Sequence, residues 1–326
     1  MTNTNELLLN KAGMTDETFR NLKTEAENGS AEAQNELRNC YYMGIGTVKN
    51  RNEAMMWYQK AADQGYTEAM CNLGKSCFIK LDFAEAVKWY REAAEQGYAE
   101  AQYELGNCYY LAYDVEENLV EAVKWFKKAA EQGHAEAQHT LADCYFEGDG
   151  VDKSNEEYIK WLNKAAEQGI VDAQIELAYS NFDGSGVEKN TVEAIKWFKI
   201  AAENDHADAQ CKLGDFYYKG YGVEDDKEEA VKWYRKAAEQ EYAEAQYRLG
   251  ECYYNGNGVE KDHAEAVKWY RKAAKKGNAD AQCNLGNCYL YGYGVDKDYV
   301  EATNWYRKAA LQDNEEAQIH LDKLLS

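Results

Sequence analysis

The chain has 326 residues and a formal net charge of −21 at pH 7, with 45% apolar residues and no proline. This composition is typical of an ordered, helix-rich protein and excludes a largely disordered chain. Nucleic acids and acidic lipid surfaces bind clusters of lysine and arginine, so the charge disfavours both as partners. We therefore expect a neutral or basic protein or peptide as the partner, and neither nucleic acid nor membrane.

The N-terminal stretch "MTNTNELLLNKAG" has no basic segment and no long apolar segment, so it is not expected to act as a signal peptide. No run approaches the roughly 20 apolar residues of a membrane-spanning helix. Without a secretory signal, the nine cysteines are expected to be reduced thiols in the cytoplasm.

The first predicted element lies in residues 15–30, which look like a terminal helix with Asn21 where later helices carry tryptophan. Tryptophans then recur once after 32 residues and six times after 36 residues, and a fixed period of this size indicates a repeat array. We predict eight repeats between an N-terminal capping region (1–30) and a C-terminal capping helix (315–326). The repeats are 31–66, 67–98, 99–134, 135–170, 171–206, 207–242, 243–278 and 279–314. Positions within a repeat are counted from its first residue.

Each repeat is predicted to form two helices, called helix A and helix B. In the third repeat, one apolar stripe runs along helix A. It consists of Ala101, Leu105, Cys108, Tyr109 and Ala112. The stripe of a helix B, taken from the second repeat, consists of Ala86, Trp89, Tyr90, Ala93 and Ala94. A "GxGV" loop joins the two helices in most repeats, although the second repeat lacks it.

Every helix B is preceded by a residue that suits the N-cap position, with glutamate three residues later, which is the capping-box pattern. The eight N-cap residues are Asn50, Asp82, Asn118, Ser154, Asn190, Asp226, Asp262 and Asp298. These signals strengthen the helix predictions, and glycine in "EQG" ends most of the second helices.

The combined pattern resembles the Sel-1-like repeat, a relative of the tetratricopeptide repeat, over roughly residues 31–326. The seventh repeat carries it almost completely: Ala243, Glu244, Ala245, Gln246, Leu249, Gly250, Tyr253, Gly256, Gly258, Val259, Asp262, Glu265, Ala266, Trp269, Tyr270, Lys272, Ala273 and Ala274. The third repeat departs from it, because Ala112 and Asp114 replace the loop glycines, and its turn is expected to differ. The resemblance implies an all-α, right-handed superhelix of antiparallel helix pairs with a concave inner face, and a role as scaffold or adaptor.

The recurring cysteine at position 10 of helix A is predicted to fill space. Ser76, Ser180, Phe216 and Leu324 hold the same slot elsewhere, and a metal ligand or nucleophile would not tolerate such replacements. The spacing of cysteines and histidines indicates no metal site. The repeated "GxG" follows a helix and has no P-loop lysine, so no nucleotide site and no cofactor is expected.

The candidate site lies on the side of helix A opposite the stripe, at positions 5, 9 and 12. Position 12 is almost always aromatic, position 9 is mostly polar and position 5 varies, as in a peptide-binding groove. The candidate contact residues are Tyr103, Asn107, Tyr110, His139, Asp143, Phe146, Tyr179, Phe182, Asp215, Tyr218, Tyr247, Glu251 and Tyr254. An alternative is that the aromatic series packs between neighbouring repeats and is only half exposed.

The sequence therefore favours a monomeric, non-enzymatic scaffold that binds a protein or peptide on the concave helix-A face. One alternative is a regulatory or structural segment of a larger assembly without a ligand in the groove. Another is a hydrolase that uses an exposed cysteine thiol.

Overall fold

A computed structural model describes residues 14–325, and in this part of the chain every regular element is helical. Residues 1–13, on which the absence of a signal peptide was judged, lie outside the described residues. The helices are α1 (Asp16–Glu27), α2 (Ala31–Met43), α3 (Arg51–Asp63), α4 (Thr67–Ile79), α5 (Phe83–Glu95), α6 (Ala99–Tyr110), α7 (Leu119–Glu131), α8 (Ala135–Glu147), α9 (Asn155–Glu167), α10 (Val171–Tyr179), α11 (Thr191–Glu203), α12 (Ala207–Lys219), α13 (Lys227–Glu239), α14 (Ala243–Asn255), α15 (His263–Lys275), α16 (Ala279–Tyr291), α17 (Tyr299–Ala310) and α18 (Glu315–Leu325). Helix α10 continues into one π-helical turn, Ser180–Gly184.

The chain divides into two compact units, with the boundary after Ala165. Within each unit, helix A packs against helix B of its own repeat, and helix B packs against helix A of the next repeat. The buried alanines, leucines and aromatic rings lie between these helices.

The predicted stripes are confirmed with one correction. In helix A of the third repeat Ala101, Leu105 and Cys108 are buried and Tyr109 is half-buried. The prediction for Ala112 is wrong, because this residue follows the end of α6 and is exposed at φ 56°. All five stripe residues of α5 are buried.

The helix-B caps form as predicted in one half of the capping box. All eight N-cap side chains accept a hydrogen bond from the backbone N–H three residues later, at 2.8–3.3 Å. The reciprocal half is replaced, because the N-cap N–H donates to the backbone carbonyl at position 11 of its repeat, at 2.7–3.1 Å. Six of the eight glutamates pair instead with a lysine three residues later.

The loop of the third repeat keeps the backbone conformation of the glycine loops, so the expectation of a different turn is wrong. Ala112 and Asp114 adopt left-handed φ values of 56° and 52°, close to those of Gly44 and Gly46 in the first repeat. The left-handed backbone conformation costs conformational energy in residues other than glycine. Two residues other than glycine thus adopt this conformation in the third repeat.

Glycine at position 8 of helix A lets an aromatic ring of helix B come close. A Cβ atom at Gly106 would lie 2.6 Å from two ring atoms of Phe126, and Gly74, Gly214, Gly250 and Gly286 face tyrosine rings in the same way. The absence of a side chain at this position therefore lets helix A and helix B of these repeats pack closely.

Buried glutamines at position 4 link helix A to the helices on either side of it. Their side-chain N–H groups donate to the carbonyl eight residues earlier, in the preceding helix, at 3.0–3.2 Å. In four repeats the side-chain oxygen of this glutamine also accepts a hydrogen bond from the glutamine that ends helix B of the same repeat. We call the second bond the glutamine latch. Its four described pairs are Gln34 with Gln64, Gln102 with Gln132, Gln210 with Gln240 and Gln282 with Gln312, at 2.7–2.9 Å.

Candidate functional site

Fewer positions of helix A are exposed to solvent than the helical period of 3.6 residues predicts. At position 5, Asn35, Cys71, Cys211 and Cys283 are buried, so the expectation that this position faces away from the core is wrong for them. The reason is packing against the next helix in the A position, as Cys283 shares a cluster with Ala317 of the terminal helix α18. Positions 2, 6 and 9 remain exposed or half-buried in almost every repeat.

The aromatic residues at position 12 are mostly half-buried and join one repeat to the loop of the next. Tyr110 donates a hydrogen bond to Asp149 at 2.6 Å, and Tyr218 accepts one from Asn257 at 2.7 Å. The ring of Tyr254 contacts Tyr293 edge-on. These partners are 39 residues apart in each case, so the packing alternative holds for these three rings.

Polar residues at position 9 satisfy buried tyrosines of helix B. Asp215 accepts from Tyr234 at 2.7 Å, and Asn287 accepts from Tyr306 at 2.6 Å. Glu251 accepts from Tyr270 in the same arrangement. Part of the polar series predicted to contact a partner thus has a role inside the fold.

In the first unit the predicted residues lie in two repeats, the third and the fourth. Tyr103 stacks on His134 with ring centres 4.9 Å apart, and Asn107 is half-buried. The ring of Phe146 is 45% exposed and lies 5.0 Å from that of Tyr158. His139 is half-buried and Asp143 is exposed.

In the second unit several predicted residues meet in two adjoining pockets between successive A helices. The first has a volume of about 150 Å³ and contains Tyr179, Phe182 and Asp215. The second has a volume of about 80 Å³ and contains Asp215, Tyr218 and Glu251. We call the two together the twin pocket. Of the remaining predictions for this unit, Tyr247 packs near Tyr270, and Tyr254 packs on His263.

Sequence reasoning missed several residues of the twin pocket. The first pocket is completed by Phe198, Lys212, Phe216, Lys219 and Tyr221, and the second includes Arg248. A signal was available at position 6, which is basic only in the sixth and seventh repeats, as Lys212 and Arg248. Phe216 gave a second signal, because it occupies the slot that holds cysteine in five other repeats.

The charges of the twin pocket are unevenly compensated. The Asp215 carboxylate accepts a hydrogen bond from the Tyr234 hydroxyl, and the Nε of Arg248 lies 3.5 Å from it and 3.0 Å from the Glu244 carboxylate. Lys212 and Lys219 line the first pocket, and neither forms an ion pair with a carboxylate in the part of the chain that the structure describes. The rim of the first pocket is therefore cationic although the protein is strongly acidic.

The cysteines offer no activated nucleophile. All nine are free thiols, and every one except the half-buried Cys77 is buried. Burial raises the pKa of Cys108 to about 12 and that of Cys40 to about 11, so both thiols are protonated at neutral pH. The packing interpretation of the recurring cysteine agrees with these positions.

Among residues 14–325, no helix is both long enough and apolar enough to cross a membrane.

Comparison with known proteins points to one family. The family model "Sel1 repeat" matches residues 31–66, 67–98, 99–134, 135–170, 171–206, 207–242, 243–278 and 279–314. Proteins of this family are in general protein-interaction scaffolds on a fold that is typically non-enzymatic. A search of curated proteins finds no match.

Two solved structures are similar over nearly the whole chain. One is c5321, a protective antigen present in uropathogenic Escherichia coli strains that displays an SLR fold. It is 39% identical with a TM-score of 0.89, and the match covers 93% of this chain and 66% of c5321. The other is a Sel1 repeat protein from Oxalobacter formigenes, 31% identical with a TM-score of 0.67, covering 98% of this chain and 93% of that protein. With eight matched repeats and an all-helical structure, the chain belongs to the Sel1 repeat family.

Proposed function

We propose that this protein is a monomeric, non-enzymatic scaffold that binds a peptide segment of a partner protein along the exposed side of its A helices. The observation that carries the proposal is the twin pocket, where aromatic rings and charged groups converge on one face of the second unit. Buried aromatic anchors surrounded by polar groups are the usual centres of binding energy in protein interfaces. The nine free thiols support a reducing compartment such as the cytoplasm.

Five of the predicted contact residues line the twin pocket, and we assign the main binding role to them. They are Tyr179, Phe182, Asp215, Tyr218 and Glu251. The predicted residues of the first unit, from Tyr103 to Phe146, are proposed as contacts for a separate stretch of the partner.

The proposal is tested by selecting a random peptide library, displayed on phage, against the purified full chain. Enriched peptides should lose most of their binding to a variant that carries Phe182→Ala and Tyr221→Ala, because both rings line the first pocket. The matched control carries Val192→Ala and Ile200→Ala, which removes exposed apolar side chains from helix B. Helix content by circular dichroism should be the same in both variants.

Two outcomes would contradict the proposal. One is a selection that enriches no sequence above the level seen with an unrelated helical protein. The other is enriched peptides that bind the pocket variant as well as they bind the control.

A further inference from the structure

Three departures from the repeat pattern lie in the wall of the first pocket or packed directly against it. Helix α10 passes into the π-helical turn Ser180–Gly184, and such turns are rare and frequently lie at functional sites. Ala178 stands where five other repeats have the glycine that admits a ring of helix B, although its partner Phe198 is aromatic. Phe216 replaces the recurring cysteine. Because these departures from the repeat pattern lie close together, we infer that this pocket has a function that the other repeats do not share.

The first pocket has the size and walls for one apolar side chain. Its rings are held by mutual contacts, with Tyr179 edge-on to Phe198 at 5.1 Å and Phe182 edge-on to Phe216 at 5.3 Å. Cofactor and drug-sized sites are usually about 300–1,000 Å³, whereas this pocket is about 150 Å³. A single side chain of a peptide fits this volume better than a small-molecule cofactor does.

Three ammonium groups lie around these walls. The Nζ of Lys189 is 5.3 Å from the ring centre of Phe182, that of Lys212 is 5.8 Å from Tyr179, and that of Lys219 is 5.6 Å from Tyr221. None of the three pairs with a carboxylate among residues 14–325. The one carboxylate that lines this pocket, that of Asp215, accepts a hydrogen bond from Tyr234 and has the Nε of Arg248 at 3.5 Å. The unmatched charge at the mouth of the pocket is therefore positive.

We propose that the first pocket binds an apolar side chain, aromatic or branched, of a partner segment in which an acidic residue comes next and pairs with Lys212 and Lys219. This assignment rests on the proposed peptide-binding function and adds the chemistry of the segment. The net charge of −21 favours a neutral or basic partner as a whole, so the acidic residue would be a local feature that fixes how the segment lies.

The test uses three fluorescein-labelled peptides of equal length, identical except for a central Phe-Asp-Glu, Phe-Lys-Lys or Ser-Asp-Glu. Binding to the full chain is measured by fluorescence anisotropy at low and at high salt. We expect the Phe-Asp-Glu peptide to bind about tenfold tighter than either of the others, and to weaken as salt screens the lysines.

Charge reversal in the variant Lys212→Glu with Lys219→Glu should abolish this preference and favour the Phe-Lys-Lys peptide. The control, Lys199→Glu with Lys275→Glu, makes the same change of net charge at exposed helix-B positions and should bind as the unaltered protein does. Phe216→Cys restores the residue found in other repeats and should remove the discrimination between phenylalanine and serine. Each variant is checked for unchanged helix content.

Equal binding of the three peptides, or a preference for the basic one, would overturn the proposed chemistry. If library peptides nevertheless depend on Phe182 and Tyr221, the peptide-binding function stands and only the acidic motif falls. If no peptide from either experiment binds, both proposals fall.

Discussion

The cysteine at position 10 of helix A shows how a repeated residue can be assigned a role from its own replacements. Cys108 and its four counterparts at this position are buried, and Phe216 and Ser180 are buried in the same slot. A slot that accepts a thiol, a hydroxyl and a ring is defined by burial rather than by reactivity. Gly106, two residues before Cys108, is more tightly constrained, because the ring of Phe126 occupies the space where a side chain would be.

Gly106→Ala is predicted to lower the free energy of unfolding by about 1–3 kcal/mol, because the new methyl group would overlap the Phe126 ring. The measurement is urea unfolding followed by circular dichroism. The fourth repeat provides a matched rescue, since it pairs Ala142 with Leu162 in these two positions. The double variant Gly106→Ala with Phe126→Leu should therefore cost less than the sum of the two single changes. Strictly additive costs would show that the two residues do not compete for the same space.

Glu100 is predicted to make stability depend on pH in the acid range. Hydrogen bonding from His134, together with that from Lys75, lowers the pKa of this carboxyl to about 2, although burial acts against it. An unfolded glutamate titrates at about pH 4.3. The stabilisation is therefore complete above that pH and is lost as the pH falls towards about 2.

Thermal melting of Glu100→Gln against the unaltered protein measures this effect. The variant should melt lower near neutral pH, and the difference should shrink as the pH falls from about 4 to 2. Glu32→Gln, an exposed glutamate at the same repeat position, should show no such convergence. A difference that stays constant across this range would contradict the role given to Glu100.

At the scale of the elements, the C-terminal end of helix B is fixed by a side-chain hydrogen bond as well as by its backbone cap. The glutamine latch joins that end to the buried glutamine of helix A. The fifth and seventh repeats lack it because Asn204 and Lys276 replace the glutamine at the end of helix B. The side-chain oxygens of Gln174 and Gln246, which would accept the missing bonds, are buried without a hydrogen-bond partner. The fifth and seventh repeats therefore each contain a buried acceptor that a single substitution could satisfy.

Asn204→Gln is predicted to raise the free energy of unfolding by about 0.5–1.5 kcal/mol, because it supplies a donor to the Gln174 oxygen. Gln132→Ala should act in the opposite direction by about 1–3 kcal/mol, since it leaves the Gln102 oxygen unsatisfied. Urea unfolding measures both, with exposed Lys275→Gln as a control for a neutral surface change. If Asn204→Gln has no effect while Gln132→Ala destabilises, the longer side chain does not reach its acceptor.

For the whole molecule, the terminal segments and the distribution of charge matter most. We propose that residues 1–30 and 315–326 cap the repeat array. Their described helices, α1 and α18, each pack on the helix next to them.

The acidic surface is expected to repel nucleic acids and other acidic macromolecules, whereas the lysines of the first pocket reverse the charge locally. Net charge thus constrains the class of partner without specifying what binds at a particular pocket.

The sequence by itself determined the helix pairs, the N-caps of every helix B, the buried stripes and the packing role of the cysteines. These features depend on periodicity and on contacts within one repeat, which the chain writes eight times. The predictions for these features were wrong only at helix ends. Ala112 lies beyond the end of α6. The N-cap N–H groups donate to backbone carbonyls at position 11 of the same repeat rather than to glutamate.

Only the tertiary structure decided which side of helix A is open and where a partner segment could bind. Packing of the next repeat buries Cys211, and packing of α18 buries Cys283, on a side that the helical period alone assigns to solvent. The first pocket is formed by residues from Tyr179 to Tyr221, on three helices, one π-helical turn and one loop, so no short stretch of sequence contains it. Buried surface in a repeat array depends on how neighbouring repeats pack, and that arrangement appears only once the chain is folded.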